Sequence, residues 1–148
     1  MPREPIAPQV SDPGVSPRSR PADPRLIALL ATDLLLFASG ATAHAHIPIP
    51  LGFGTWVEPL VAPAAIIEGV GAAGLAASLA SLATPATWAG RLAWWVLWYC
   101  FVGVLWGMGR LAMGSIPAAR TMTNDFLHIA MTLVTTLALV RLAPFIHR

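Results

Sequence analysis

The sequence predicts an all-α fold, an integral-membrane bundle of four helices with a disordered N-terminal tail. Three observations carry that expectation. Apolar residues make up 56% of the 148-residue chain and charged residues 11%, against about 25% charged in soluble domains, so polar side chains are too few to coat a soluble globule. The apolar residues gather in four long runs, and open sheets cannot satisfy their backbone in lipid. The first 25 residues, by contrast, hold seven of the fourteen prolines.

That tail (1–25) mixes proline with Ser, Arg and Asp. Proline removes backbone donors and the stretch has almost no apolar mass, so no packed structure is expected. Its PRSRP stretch, Pro17 to Pro21, reads as a solvated arm before it reads as a ligand for a partner domain. The transmembrane domain (26–148) follows, with spans at about 26–43, 59–83, 92–110 and 123–143. Leu26 to Ala43 is 18 residues, just enough to span a bilayer at about 1.5 Å per residue. The second run is rich in Ala and Gly: Ala65, Gly69, Ala73, Ala77 and Ser81 recur at every fourth residue. Gly103 and Gly107 repeat the spacing on the third run. Small residues at that interval let helix backbones approach in lipid, which suits packing within the bundle first and self-association or other membrane subunits second. Trp94, Trp95, Trp98, Tyr99 and Trp106 on the third run read as interfacial anchors and packing. The fourth run opens on Thr123, Asn124 and Asp125, a cap with an acid in the first turn, where the helix dipole favours it.

The basic residues set the orientation. All nine are Arg. Placing the tail inside puts Arg3, Arg18, Arg20, Arg25, Arg91, Arg141 and Arg148 in the cytoplasm and leaves Arg110 and Arg120 outside. The positive-inside rule then puts both termini in the cytoplasm, in a multi-pass protein of the cell inner membrane. One processing alternative stays open. Ala41-Thr42-Ala43 and Ala43-His44-Ala45 fit the small-x-small pattern before a signal-peptide cut. The long proline-rich tail and Asp33 within the apolar run argue against it.

Polar groups inside the runs are the informative ones. Asp33 lies mid-way along the first run, where a carboxylate costs about 2.5–3.5 kcal/mol on insertion scales and should face the bundle interior. Asp33, Phe37, Gly40 and His44 share one helical face. Glu68 lies within the second run. Asp125, His128, Thr132 and Thr135 line one face of the fourth. The topology gathers His44, His46, Glu58, Glu68, Arg110, Asp125 and His128 in the outer half of the bundle. The cytoplasmic ends offer little beyond Arg91, Arg141, His147 and Arg148.

Several function classes drop out. Nucleic acid is not an expected partner, because the basic residues form no cluster to neutralise phosphate. No Gly-rich phosphate loop, GxSxG or accessible Cys–His pair supports soluble catalysis, so an enzyme is not favoured. The single cysteine, Cys100, excludes an internal disulfide and sits in an apolar run that keeps a thiol protonated.

What stays is ranked by the outer polar cluster. The first expectation is a non-enzymatic accessory, assembly or scaffold subunit, in which Asp33, Glu58, Glu68, Arg110 and Asp125 form a network, with Arg110 or Arg120 neutralising the acids. The second is a redox or metal-binding membrane protein. His44, His46, Asp125 and His128 would suit Cu or Zn, or His44 (or His46) and His128 would ligate haem iron axially, as in the four-helix anchors of quinone-linked enzymes. The third is a proton-coupled small transporter relaying through Asp33, Glu68 and His128.

Overall fold

The computed structural model describes residues 23–84, 88–114 and 121–146. The expected tail lies outside them as far as residue 22, with PRSRP, Arg3, Arg18 and Arg20. Arg120, His147 and Arg148 also lie outside.

Four α-helices dominate: α1 Pro24–His44, α2 Ala62–Leu82, α3 Ala89–Ala112 and α4 Met122–Ile146. All four are long and apolar enough to cross a membrane. At 21 to 25 residues each, they reach about 30–38 Å, the thickness of a hydrocarbon core or slightly more. Neighbours pack in a ring, α1 between α2 and α4, with α3 closing the far side. Each helix runs antiparallel to the next. Gly71 meets Phe37 and Cys100, Gly103 meets Ile67, and Asp33 meets Thr135.

The helix ends follow local chemistry. Asp23 accepts from the Arg25 amide at 3.0 Å and Pro24 occupies the first turn, where its missing N–H costs nothing. Residues 24 and 25 therefore belong to α1, not to the tail. Thr121 caps α4, accepting from the Asn124 amide at 3.1 Å. The cap lies two residues before the expected Thr123, and it still leaves Asp125 in the first turn. α2 starts at Ala62 instead of Pro59, because the Val61 amide is held by the His44 carbonyl at 3.0 Å.

The core runs through Leu30, Phe37, Leu75, Leu97, Cys100 and Met131, all fully buried. On α2 the buried face is Glu68, Gly71, Leu75, Ser78 and Ser81. It is not the stripe of small residues, in which Ala73 and Ala77 are exposed. A strict four-residue step turns about 400°, so it drifts some 40° per step away from any fixed face, whereas alternating threes and fours hold the face.

The segment between α1 and α2, expected as a loop, contains a small antiparallel hairpin. Its strands are β1 Ile49–Pro50 and β2 Thr55–Trp56, paired Ile49 to Trp56 and Pro50 to Thr55. Gly52 has φ +83° and lets the chain reverse. Buried Trp56 joins the core cluster, so the hairpin covers one end of the bundle.

Candidate metal centre

At the hairpin end, α1 stops in a Schellman turn. The His46 amide donates to Ala43 O at 3.0 Å and the Ile47 amide to Thr42 O at 3.1 Å, a pairing that needs a left-handed residue at the first position past the helix. His46 takes it, with φ +61°. His44 thus remains on the last turn of α1 and faces inward, 4% exposed. His46 leaves the helix, and its Nδ1 donates to Glu58 O at 2.8 Å.

Two other helices bring partners to His44. Glu68, on the buried face of α2, puts Oε1 3.7 Å from His44 Nε2 and 3.5 Å from His128 Nε2. Gly40 makes room for it. A Cβ there would stand 2.6 Å from Glu68 Oε2. His128 lies nearly two turns into α4, its ring centroid 6.0 Å from that of His44 and tilted 44° to it. One ligand atom from each of His44, Glu68 and His128 lies within 4.8 Å of the others, and all three residues are buried.

The hydrogen bond behind His128 fixes the chemistry of this group. His128 Nδ1 lies 2.8 Å from Asn124 O. A carbonyl only accepts, so Nδ1 carries a proton. In the neutral ring Nε2 is then a bare lone pair, and it faces a carboxylate oxygen, also an acceptor. Two acceptors facing each other in a buried site repel unless a cation or a proton stands between them. A ligating histidine that donates its second nitrogen to a backbone carbonyl is the usual outer shell of a metal site. Two imidazoles and one carboxylate make a donor set for Zn, Cu or Fe.

The remaining polar residues form separate groups. Glu58, 1% exposed, accepts from Trp56 Nε1 and from Thr121 Oγ1, both at 2.7 Å. These bonds tie the hairpin and the segment after it to the start of α4. Asp33 lies fully buried near the middle of α1, with Thr135 Oγ1 3.0 and 2.8 Å from its two oxygens. Phe37, fully buried, stands one turn away on the Glu68 side. The guanidinium of Arg110 lies 6.0 Å from the Trp106 ring centroid, a cation–π contact at that end of α3.

Placement of the expected ligands changes accordingly. His44 and His128 come together. His46 does not join them, because the left-handed turn after His44 sends its ring to the Glu58 backbone. Asp125 is also outside the group, since the inward face of α4 runs through Asn124, Leu127, His128 and Met131, and Asp125 lies about 100° off Asn124. Glu68, expected in a salt-bridge network, is the third member. Of the five residues expected in one network, Asp33, Glu58 and Glu68 lie in three separate polar groups. Haem does not fit. Glu68 Oε1 lies against both imidazole nitrogens, and the two cavities beside His128 are each about 30 Å³. That is room for a water or an ion, not for a porphyrin.

Reading residue by residue missed Thr121 and Trp56, and it placed Asn124 only in the cap of the fourth helix and Gly40 only on the inward face of the first. A signal for Asn124 was available, since a residue four before His128 places its carbonyl at the ring. For Trp56 none was, because the hairpin is set by packing over the bundle end. No protein-family model matches the chain, and neither does any curated protein or solved structure.

Proposed function

We propose that the protein crosses the cell inner membrane four times and binds a divalent transition-metal ion, Zn²⁺ or Cu²⁺, through His44, Glu68 and His128 in the outer half of the bundle. The membrane reading is supported by the apolar residues turned outward along every helix, among them Leu35, Ile66, Val70, Trp95, Leu133 and Val140, each more than half exposed. Surfaces of this kind are stable in lipid and a liability in water. Arg25, Arg91 and Arg141 lie at the end away from the hairpin, and Arg110 lies at the hairpin end. The positive-inside rule puts the termini in the cytoplasm and the hairpin outside.

One observation carries the metal reading: His128, its Nδ1 donating to the Asn124 carbonyl, turns Nε2 to the Glu68 carboxylate inside a buried site, where a cation has to stand between them. A zinc ion with ligands at about 2.0–2.2 Å holds tetrahedral neighbours some 3.3–3.5 Å apart, close to the 3.5 and 3.7 Å separations at Glu68. The test is metal analysis of the full chain purified in detergent, after loading with Zn²⁺ and removal of excess ion. Near-stoichiometric metal in the wild type, lost in Glu68→Ala and in His128→Ala, is the expected result. Wild-type protein that holds no more metal than these two variants overturns the reading.

A second reading, an accessory or scaffold subunit, is favoured by the Asp33–Thr135 pair, which binds α1 to α4, and by the Glu58–Thr121 pair, which binds the hairpin segment to α4. In that case a shared proton replaces the metal between Glu68 and the histidines. The transporter reading is less well supported, since fully buried Phe37 separates Glu68 from Asp33.

A further inference from the structure

The metal group is built from three side chains, one fewer than a closed tetrahedral site. Structural zinc sites use four protein ligands, whereas sites that exchange a ligand keep one position for solvent or substrate. What surrounds the missing position is therefore informative.

Two small cavities adjoin His128, each of about 30 Å³. One is bounded by His44, Asn124 and Leu111, the other by Glu68, Phe37 and Val104. Ala64, Gly107 and His128 line both, so small side chains mark the boundary between them. A Cβ built on Gly107 meets nothing within 4 Å, and the space is open because the side chain is absent. Each cavity exceeds the roughly 10–15 Å³ that one water needs.

Asn124 lines the first of these cavities. Asn124 is 2% exposed and its Oδ1 is buried without a hydrogen-bond partner. Its backbone carbonyl already orients His128, so one residue would fix a ligand and face the empty position beside it. Buried amides are rarely left unsatisfied. A water bound to the metal would donate to Oδ1 and remove that cost.

Resting on the metal reading above, we propose that the ion held by His44, Glu68 and His128 keeps a fourth, exchangeable position. It opens on the cavity between Asn124 and Gly107 and takes a small oxygen or nitrogen donor, with water as the resting ligand. Asn124 is a positioning residue for that ligand. The cavity admits species of two or three heavy atoms and excludes larger ones, so the centre handles a small molecule or anion.

The full chain in detergent, loaded with Co²⁺, tests this. Cobalt uptake is measured first, by metal analysis and the visible d–d bands, and azide is then titrated. The expected result is a saturable shift of the bands. Azide only accepts and must displace the water that donates to Oδ1, so Asn124→Ala should tighten azide binding by up to about tenfold, the scale of the hydrogen bond that water gives up, and weaker binding overturns the role of Asn124. Gly107→Leu, which fills the cavity, should keep the cobalt bands and lose the azide response. Retained bands certify that each variant is folded. Stoichiometric cobalt with bands unmoved by azide in the wild type overturns the open position and leaves the metal reading standing. No cobalt uptake at all overturns both.

Discussion

The two halves of this bundle are built on different rules. At the hairpin end His44, Glu58, Glu68, Asn124 and His128 are all buried, with a strand pair and a tryptophan folded over them. Toward the opposite end the buried side chains are Leu26, Leu30, Leu75, Leu97, Ala138, Leu139 and Leu142, and the polar ones are two serines that bond within their own helix. A bundle in lipid gains little from burying leucine, since tails are as apolar as the core. The half away from the hairpin is thus a packing scaffold, and the hairpin half holds the proposed site. Asp33 and Phe37 mark the border.

The border residue should give the largest effect. Phe37 fills the space between Gly71 and the Glu68 layer, and Phe37→Ala should cost about 3–5 kcal/mol, read by thermal or denaturant unfolding in detergent. A loss under about 1 kcal/mol would mean that the border is not packed and that the two halves are continuous. Next comes Gly40→Ala. The added methyl lies 2.6 Å from Glu68 Oε2 and 2.9 Å from the Met131 methyl, so the carboxylate must move. Overpacking of this kind costs about 1–3 kcal/mol, and it should lower zinc affinity at least about tenfold. Unchanged zinc affinity would show that Glu68 is not held by α1.

Much of this division was legible in the sequence. Four apolar runs and the uneven spread of His and acids follow from counting and from helical spacing. The membership of the site did not. The stretch HAHIPIP, His44 to Pro50, offers two histidines of equal merit, and only the turn geometry decides between them: His44 ends the helix, and His46 takes the left-handed position that glycine usually fills. Glu68 was expected against an arginine and not between the two histidines, because the drift of a four-residue step hid which face of α2 is buried. The small strand pair was invisible for a simpler reason. Two residues per strand leave no alternation to detect.

Smaller effects should separate the two halves further. Thr135→Val leaves Asp33 without its hydroxyl and should cost about 0.6–1.7 kcal/mol, the range for such bonds between helices in lipid. Zinc affinity should not change, because Phe37 stands between. A variant that loses metal would place Asp33 in the same functional layer as Glu68. His46→Gly should be nearly neutral. Glycine relieves about 1 kcal/mol of left-handed strain and gives up a bond to Glu58 O worth about the same. Metal retained in this variant and lost in His44→Ala would distinguish the two histidines of the motif.

The least effect belongs to the far end, where Asp23 accepts from Arg141 Nε at 2.7 Å. That hydrogen bond, followed by the one from the Arg25 amide, holds the Asp23 carboxyl below its ordinary value of 3.8. A carboxyl with a lowered folded-state pKa contributes stability above its unfolded value and loses it as pH falls through the folded one. The contribution should therefore be complete at neutral pH and decline only below about pH 4. The pair is solvent-exposed, so salt should shrink it further. Asp23→Asn should lower the unfolding temperature slightly at pH 7, and the gap from wild type should close as the pH drops below 4. A gap that persists at pH 2 would mean that Asp23 acts through its cap on α1 alone, and that α4 is not fastened to α1 at this end.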